Sequence, residues 1–192
     1  MVDLAGLRKH FILEHLSEGG VAVDFTMGNG NDTLFLSKVV GSEGRVYAFD
    51  IQEAALISTR GHLTRECAPE NYTLICASHD RVDEFVTEPI NAGMFNLGYL
   101  PGNGNKEVTT MRATTLPAIE KALRLLAPDG VLVVAVYPGH LEGELEGEAI
   151  EEYLKTLSKY RFCPSKFRIL NSPDSPYFFL IEKSKKAKFG EI

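Results

Sequence analysis

The chain has 192 residues, of which 44% are hydrophobic and 24% charged, and this balance excludes a disordered or fibrous protein. Its length suits one large domain over residues 1–192 and leaves no room for a second catalytic one. The formal net charge of −6, from 20 basic and 26 acidic side chains, excludes a protein that coats nucleic acid through charge alone, although a local basic face is allowed.

From the N-terminus, residues 4–16 place Leu4, Leu7, Phe11, Ile12 and Leu16 at helical spacing, and Gly19-Gly20 ends that helix. Residues 21–25 form a short apolar strand, followed by a glycine loop and a helix through Leu34, Leu36 and Val39 that stops at Gly41. A second strand over 45–49 ends at Asp50, a helix covers 53–67, a third strand 72–76, and a short helix 81–86. A fourth strand over 90–96 precedes a helix over 109–126, a turn at Pro128-Asp129-Gly130, and a fifth strand over 131–137. After a helix over 144–157, two extended segments, 162–170 and 177–182, are joined without a helix and so must pair antiparallel. Apolar strands alternating with helices predict a doubly wound α/β fold: a mostly parallel seven-stranded sheet, covered on both faces, with a C-terminal antiparallel hairpin.

Open parallel sheets bind ligands at the carboxyl ends of their strands, where the first glycine loop, Asp24-Phe25-Thr26-Met27-Gly28-Asn29-Gly30, falls. Gly28 and Gly30 let the main chain approach a ligand, while Asn31, Asp32 and Thr33 begin a helix and can cap it. Asp50, at the end of the second strand, is placed to accept hydrogen bonds from ribose hydroxyls. Thr33 occupies the position of the third glycine of a dinucleotide fingerprint, and Asp24 and Asp32 flank the loop where a pyrophosphate would lie. Carboxylates repel a diphosphate and suit a sulfonium amino acid, so the favoured ligand is S-adenosylmethionine; a nicotinamide-linked oxidoreductase is the rival of another class, and a catalytically idle binding module a third reading.

Asn96-Leu97-Gly98-Tyr99-Leu100-Pro101-Gly102, after the fourth strand, lies where an acceptor must sit. An Asn carbonyl can orient an amine by accepting one N–H, and Tyr99 can stack on a ring. Two further loops leave the same sheet edge. Ala77-Ser78-His79-Asp80 could reach the adenine or the backbone of the glycine loop, and His140, in Tyr137-Pro138-Gly139-His140, could act as a base or a positioning group. Glu142, Glu144, Glu146 and Glu148 read as a solvated helix start. Arg8 with Lys9, and Lys183 with Lys185, Lys186 and Lys188, read as two solvated ends. Cys67, Cys76 and Cys163 are odd in number and widely spaced, which indicates neither a disulfide framework nor a metal site and leads us to expect buried free thiols. No run of about 18 apolar residues occurs, and the first residues lack a secretory layout, so a cytoplasmic protein without a membrane partner is expected.

The motifs Asp24-Phe25-Thr26-Met27-Gly28-Asn29-Gly30-Asn31-Asp32-Thr33, Ala77-Ser78-His79, Phe95-Asn96-Leu97-Gly98-Tyr99-Leu100-Pro101-Gly102, Tyr137-Pro138-Gly139-His140 and the closing segment 171–182 together resemble the rRNA methylase family. The resemblance covers nearly the whole chain and extends to transfer-RNA enzymes that methylate the amine of 5-aminomethyl-2-thiouridine at the wobble position. It implies a homodimeric class I methyltransferase that uses S-adenosylmethionine and takes a tRNA anticodon stem-loop as partner. In that reading Asn29, Asn31, Asp50, Gln52, Ser78 and His79 contact the donor, while Asn96, Tyr99 and His140 face the acceptor. With the loop residues, the candidate donor set is Asp24, Gly28, Asn29, Gly30, Asn31, Asp32, Thr33, Asp50, Gln52, Ser78, His79, Asn96 and Leu97. Asn103-Gly104-Asn105-Lys106 departs from the family pattern, with asparagine where a glycine or an acidic residue is expected. Methylation of ribosomal RNA or of a small-molecule amine is the alternative within this class.

Overall fold

The computed structural model describes residues 3–98, 110–138, 141–190 and 192. In chain order the elements are α1 (Leu4–His15), β1 (Val21–Asp24), α2 (Asn31–Val40), β2 (Arg45–Asp50), α3 (Glu53–Arg65), β3 (Tyr72–Cys76), a single turn at His79–Arg81, α4 (Val82–Phe85), β4 (Ile90–Asn96), α5 (Arg112–Leu125), β5 (Leu126–Val136), α6 (Leu141–Lys155), β6 (Phe162–Phe167) and β7 (Tyr177–Lys183). They build one seven-stranded sheet in the order β3-β2-β1-β4-β5-β7-β6. The first five of these strands run parallel, and β7 inserts antiparallel between β5 and β6. The predicted doubly wound sheet with its terminal antiparallel pair is therefore observed.

Strand β5 shows why the sheet is covered on both sides. Leu132, Val134 and Val136 pack with Ala118, Ile119, Ala122 and Leu123 of α5 and with Ile150 and Leu154 of α6, whereas Val131, Val133 and Ala135 pack with Ile12 of α1 and with Leu36 and Val40 of α2. The two-residue period of a strand sends alternate apolar side chains to opposite layers, and each full burial contributes about 1.5–3 kcal/mol. The chain winds outward from β1 through β2 to β3, then returns to β4 on the other side of β1. The winding therefore reverses between β1 and β4, and it is at the carboxyl edge of such a switch point that open parallel sheets form a ligand crevice.

Several local expectations are corrected. Helix α5 ends at Leu125 and β5 starts at once, so Pro128-Asp129-Gly130 is an irregularity within the strand, between the pairs Ile90–Leu126 and Ala92–Val131. Asp129 adopts a φ of 65°, and Pro128 has no N–H to give to a ladder. Strand β6 stops at Phe167 instead of continuing to Leu170, which is 94% exposed. The three cysteines are all exposed, not buried. Lys183 is no solvated end: it is 2% exposed, and its ammonium donates to the carbonyls of Leu126 at 2.9 Å and Leu123 at 3.4 Å, satisfying acceptors at the end of α5. Among the described residues, no helix is long and apolar enough to cross a membrane.

Two glycines separate packing from propensity. A Cβ on Gly44 would lie 2.6 Å from the Gly20 carbonyl oxygen, whereas one on Gly61, within α3, would meet nothing within 4 Å. Urea denaturation should show Gly44→Ala losing about 1–3 kcal/mol and Gly61→Ala gaining about 0.5–1 kcal/mol. Equal midpoints for the two variants would contradict this packing.

Candidate active site

The crevice is organised from beneath by Asp24, the last residue of β1, which is 1% exposed. Its carboxylate accepts the Thr33 hydroxyl at 2.7 Å and the Thr26 amide at 3.1 Å, tying the strand end to the first turn of α2 across the glycine loop. The Thr26 hydroxyl in turn accepts the Asn96 amide at 2.7 Å, which links the loop after β1 to the end of β4. Asp24 thus lies under the loop, while Asp32 is half-buried at its margin. Thr33, in the place of a fingerprint glycine, serves as the donor that satisfies the buried carboxylate.

The loop itself is held by β2 and α3. The Asp50 carboxylate accepts the Gly28 amide at 3.1 Å and the Gln52 amide at 2.9 Å, so it bridges the loop and the start of α3. Gly30 is the N-cap of α2 at a φ of 82°, and no side chain caps this helix. The expected capping by Asn31, Asp32 or Thr33 is therefore absent, because Asp24 and Asn96 engage two of these side chains. A Cβ on Gly30 would lie 2.9 Å from a Thr59 methyl group, so the position needs glycine both for its backbone angle and for its closeness to α3.

Three α3 residues that the sequence did not single out grip this loop. The Thr59 hydroxyl donates to the Gly28 carbonyl at 3.0 Å, Ser58 donates to the Asn29 side chain at 2.9 Å, and His62 Nδ1 lies 2.9 Å from the Asn29 carbonyl. The available signal was their spacing, since Ser58 and His62 lie one turn apart on one helix face.

At the acceptor side, the Asn96 side-chain amide is held at both ends: its carbonyl accepts from Arg8 of α1, and its amino group donates to Asp32 of α2. Tyr99 and His140 lie outside the described residues, as does the Asn103-Gly104-Asn105-Lys106 segment. The residues bordering segment 99–109 are fastened together. The Thr110 hydroxyl accepts the Gly98 amide at 2.9 Å and donates to Glu146 at 2.9 Å, and Thr115 donates to the other Glu146 oxygen at 2.5 Å. Glu146 is 1% exposed, so the expected solvated run contains a buried carboxylate that joins α6 to the start of α5.

The candidate donor set divides by depth. Asp24, Gly30, Thr33, His79 and Leu97 are buried and form the floor; Gly28, Asn29, Asp32, Asp50, Gln52, Ser78 and Asn96 are half-buried, and Asn31 is exposed. His79 Nδ1 lies 3.3 Å from the Phe25 carbonyl, and burial holds its imidazole below the usual histidine range. With Nδ1–H turned to that carbonyl, Nε2 is a buried acceptor without a partner among the described residues. Burial, reinforced by the charge of Asp32, pushes the Asp24 carboxyl up to about 7. Burial also raises Asp50, against the backbone amides of Gln52, Gly28 and Ile51, which favour its charged form. A crevice with crowded carboxylates, a close-approach glycine loop and an orphaned acceptor suits a cationic nucleoside and disfavours a diphosphate. Among the described residues, no group of acidic, His or Cys side chains could hold a metal ion.

The raised Asp24 carboxyl has a pH signature. The folded state binds this proton more tightly than the unfolded state, so the associated stability is complete below about pH 4 and is lost as pH rises through about 7. Asp24→Asn should remove that loss and flatten the decline in denaturation midpoint over this window. In wild type, binding of a cationic ligand near pH 6 should release a proton, read by calorimetry in buffers of different ionisation enthalpy. A variant with an unchanged pH slope would exclude Asp24 as the group concerned.

Residues 46–183 match the family described as "Putative rRNA methylase". The chloroplastic tRNA (mnm(5)s(2)U34)-methyltransferase of Arabidopsis thaliana is 38% identical over 189 residues, spanning 91% of this chain and 67% of that protein. The crystal structure of a "putative rRNA-methylase" from Clostridium thermocellum is 37% identical and superposes with a TM-score of 0.92, covering 95% of this chain and 98% of that one. A "putative methyltransferase" from Streptococcus mutans, solved in complex with SAH, is 40% identical with a TM-score of 0.86, covering 95% and 99% of the two chains. The chain belongs to this rRNA methylase family and is an S-adenosylmethionine-dependent class I methyltransferase acting on RNA.

Proposed function

We propose that this enzyme methylates the exocyclic amine of 5-aminomethyl-2-thiouridine at the wobble position of tRNA, giving 5-methylaminomethyl-2-thiouridine. The observation that carries the reading is the placement of Asn96. It ends β4, where its backbone amide donates to Thr26 of the glycine loop, its side-chain amino group donates to Asp32 and its side-chain carbonyl accepts from Arg8. The name of the Arabidopsis relative points to the same nucleoside.

When bound, S-adenosylmethionine supplies an electrophilic methyl carbon on a sulfonium sulfur, whose C–S bond breaks with the electron pair staying on sulfur as the amine nitrogen forms the new C–N bond. The protein contributes position and electrostatics. Gly28, Gly30 and Asp50 shape the seat of the nucleoside, and Asp24 and Asp32 favour its positive charge. Asn96 accepts one N–H of the neutral amine and so aims the nitrogen lone pair, and the proton displaced from the methylated nitrogen leaves to solvent. The stem-loop presents the wobble base splayed from its stack, as sequence-reading RNA enzymes require.

Nucleosides from a deletion strain, analysed by mass spectrometry, should show unmethylated aminomethyl-thiouridine accumulating in tRNA. A normal tRNA profile with a methyl group missing from ribosomal RNA would replace this reading with a ribosomal substrate. With purified enzyme at saturating S-adenosylmethionine, Asn96→Ala should lower kcat about 10²-fold. Full turnover by that variant would remove the orienting role of Asn96.

A further inference from the structure

Arg8 is a half-buried charged residue on the face of α1 that packs against the sheet. Leu4, Arg8 and Ile12 recur at four-residue intervals and share one face of α1; Ile12 is fully buried against the sheet and Leu4 is packed against the same cluster. The register that buries Ile12 therefore turns Arg8 toward the sheet, and its guanidinium meets the Asn96 carbonyl at the end of β4.

The contact decides which way the Asn96 amide faces. An amide can flip, exchanging its acceptor for its donor. Here Arg8, which only donates, takes the oxygen, and Asp32, which accepts as a carboxylate, takes the nitrogen, so the flipped arrangement would lose both bonds. A carbonyl oxygen has two lone pairs, and Arg8 uses one, leaving the second for a substrate N–H. That substrate nitrogen then lies within a few ångströms of a permanent positive charge.

Other charges face the same edge. Asp32 of α2 holds the far end of the Asn96 amide, Asp24 of β1 is buried below, and Asp50 of β2 is turned to the Gly28 and Gln52 amides. His79 is buried with its Nδ1 at the Phe25 carbonyl. A bound sulfonium nucleoside adds its own positive charge beside these carboxylates, which leaves the guanidinium as the charge nearest the acceptor carbonyl.

We propose that Arg8 is a positioning and specificity residue for methyl transfer: it locks the Asn96 carbonyl toward the acceptor and, as a fixed cation there, admits the neutral amine while disfavouring its ammonium form. The proposal rests on the amine acceptor assigned above. Its chemical logic is that the ammonium has no lone pair; the proton must leave the nitrogen for solvent before the C–N bond forms. A neighbouring cation makes that departure easier.

The test uses full-length enzyme and an anticodon stem-loop RNA carrying aminomethyl-thiouridine. Arg8→Gln keeps an N–H donor and removes the charge, and Arg8→Lys keeps the charge. Single-turnover rates should be followed from about pH 6 to about pH 9, alongside SAH affinity by calorimetry and RNA affinity of the SAH-loaded protein at each pH. Arg8→Gln should shift the rate profile up by about one pH unit, so that it is about tenfold slow near neutrality and recovers at high pH. It should also bind the amine RNA more tightly at low pH, with SAH affinity unchanged, while Arg8→Lys keeps the wild-type profile. A uniform loss at every pH, an unchanged profile, or a loss explained by SAH affinity overturns the proposal. If wild type leaves this RNA unmethylated, the substrate assignment fails instead, and the two failures are told apart.

Discussion

Asp24 ends the central strand with a carboxylate that water does not reach, and every group that satisfies it belongs to the segment that follows. Thr26 and Thr33 turn back to it, so the intervening glycine loop is pulled into a tight arc over the strand end. The Thr26 hydroxyl then passes the constraint to Asn96 on the neighbouring strand. An unsatisfied buried carboxylate is expensive, so the arc is the arrangement that the sequence must adopt once β1 is in the sheet. Loop shape, start of α2 and acceptor-side amide all follow from that one buried group.

The same carboxylate is under electrostatic tension. Burial raises its proton affinity first, and the charges of Asp32 and, more weakly, Asp50 add to that. The carboxylates that hold the backbone amides of the loop in place also gather negative charge around it. On the acceptor side, the arrangement has a different sign. Arg8 and Asp32 bracket Asn96 with opposite charges, so one side-chain amide separates a guanidinium from a carboxylate.

The parts that hold the site come from elements remote in sequence. Ser58, Thr59 and His62 clamp the loop from α3, about 30 residues downstream. Glu146 on α6 joins Thr110 and Thr115, on the far side of segment 99–109. These are ordinary Ser, Thr, His and Glu residues, and beyond the one-turn spacing of Ser58 and His62 nothing in the sequence marks them. What marks them is the partner, which becomes visible only when two helices pack on the same sheet.

The alternation of apolar strands with helices, the glycine loop after the first strand, Asp50 after the second and the helix-free link between the last two strands were all legible in the chain, because each is a local property: periodicity, backbone permissiveness or loop length. The sequence therefore determined the doubly wound sheet, its antiparallel end and the position of the crevice. Tertiary structure alone decided which charged and polar residues left water. Lys183 in a lysine cluster, Glu146 in a glutamate run and Arg8 beside Lys9 all looked solvated, and all three are engaged in the fold. The cysteines looked like core residues and are exposed. The physical reason is that burial is set by the element lying across from a side chain, and a sequence read along its length reports only the element that carries it.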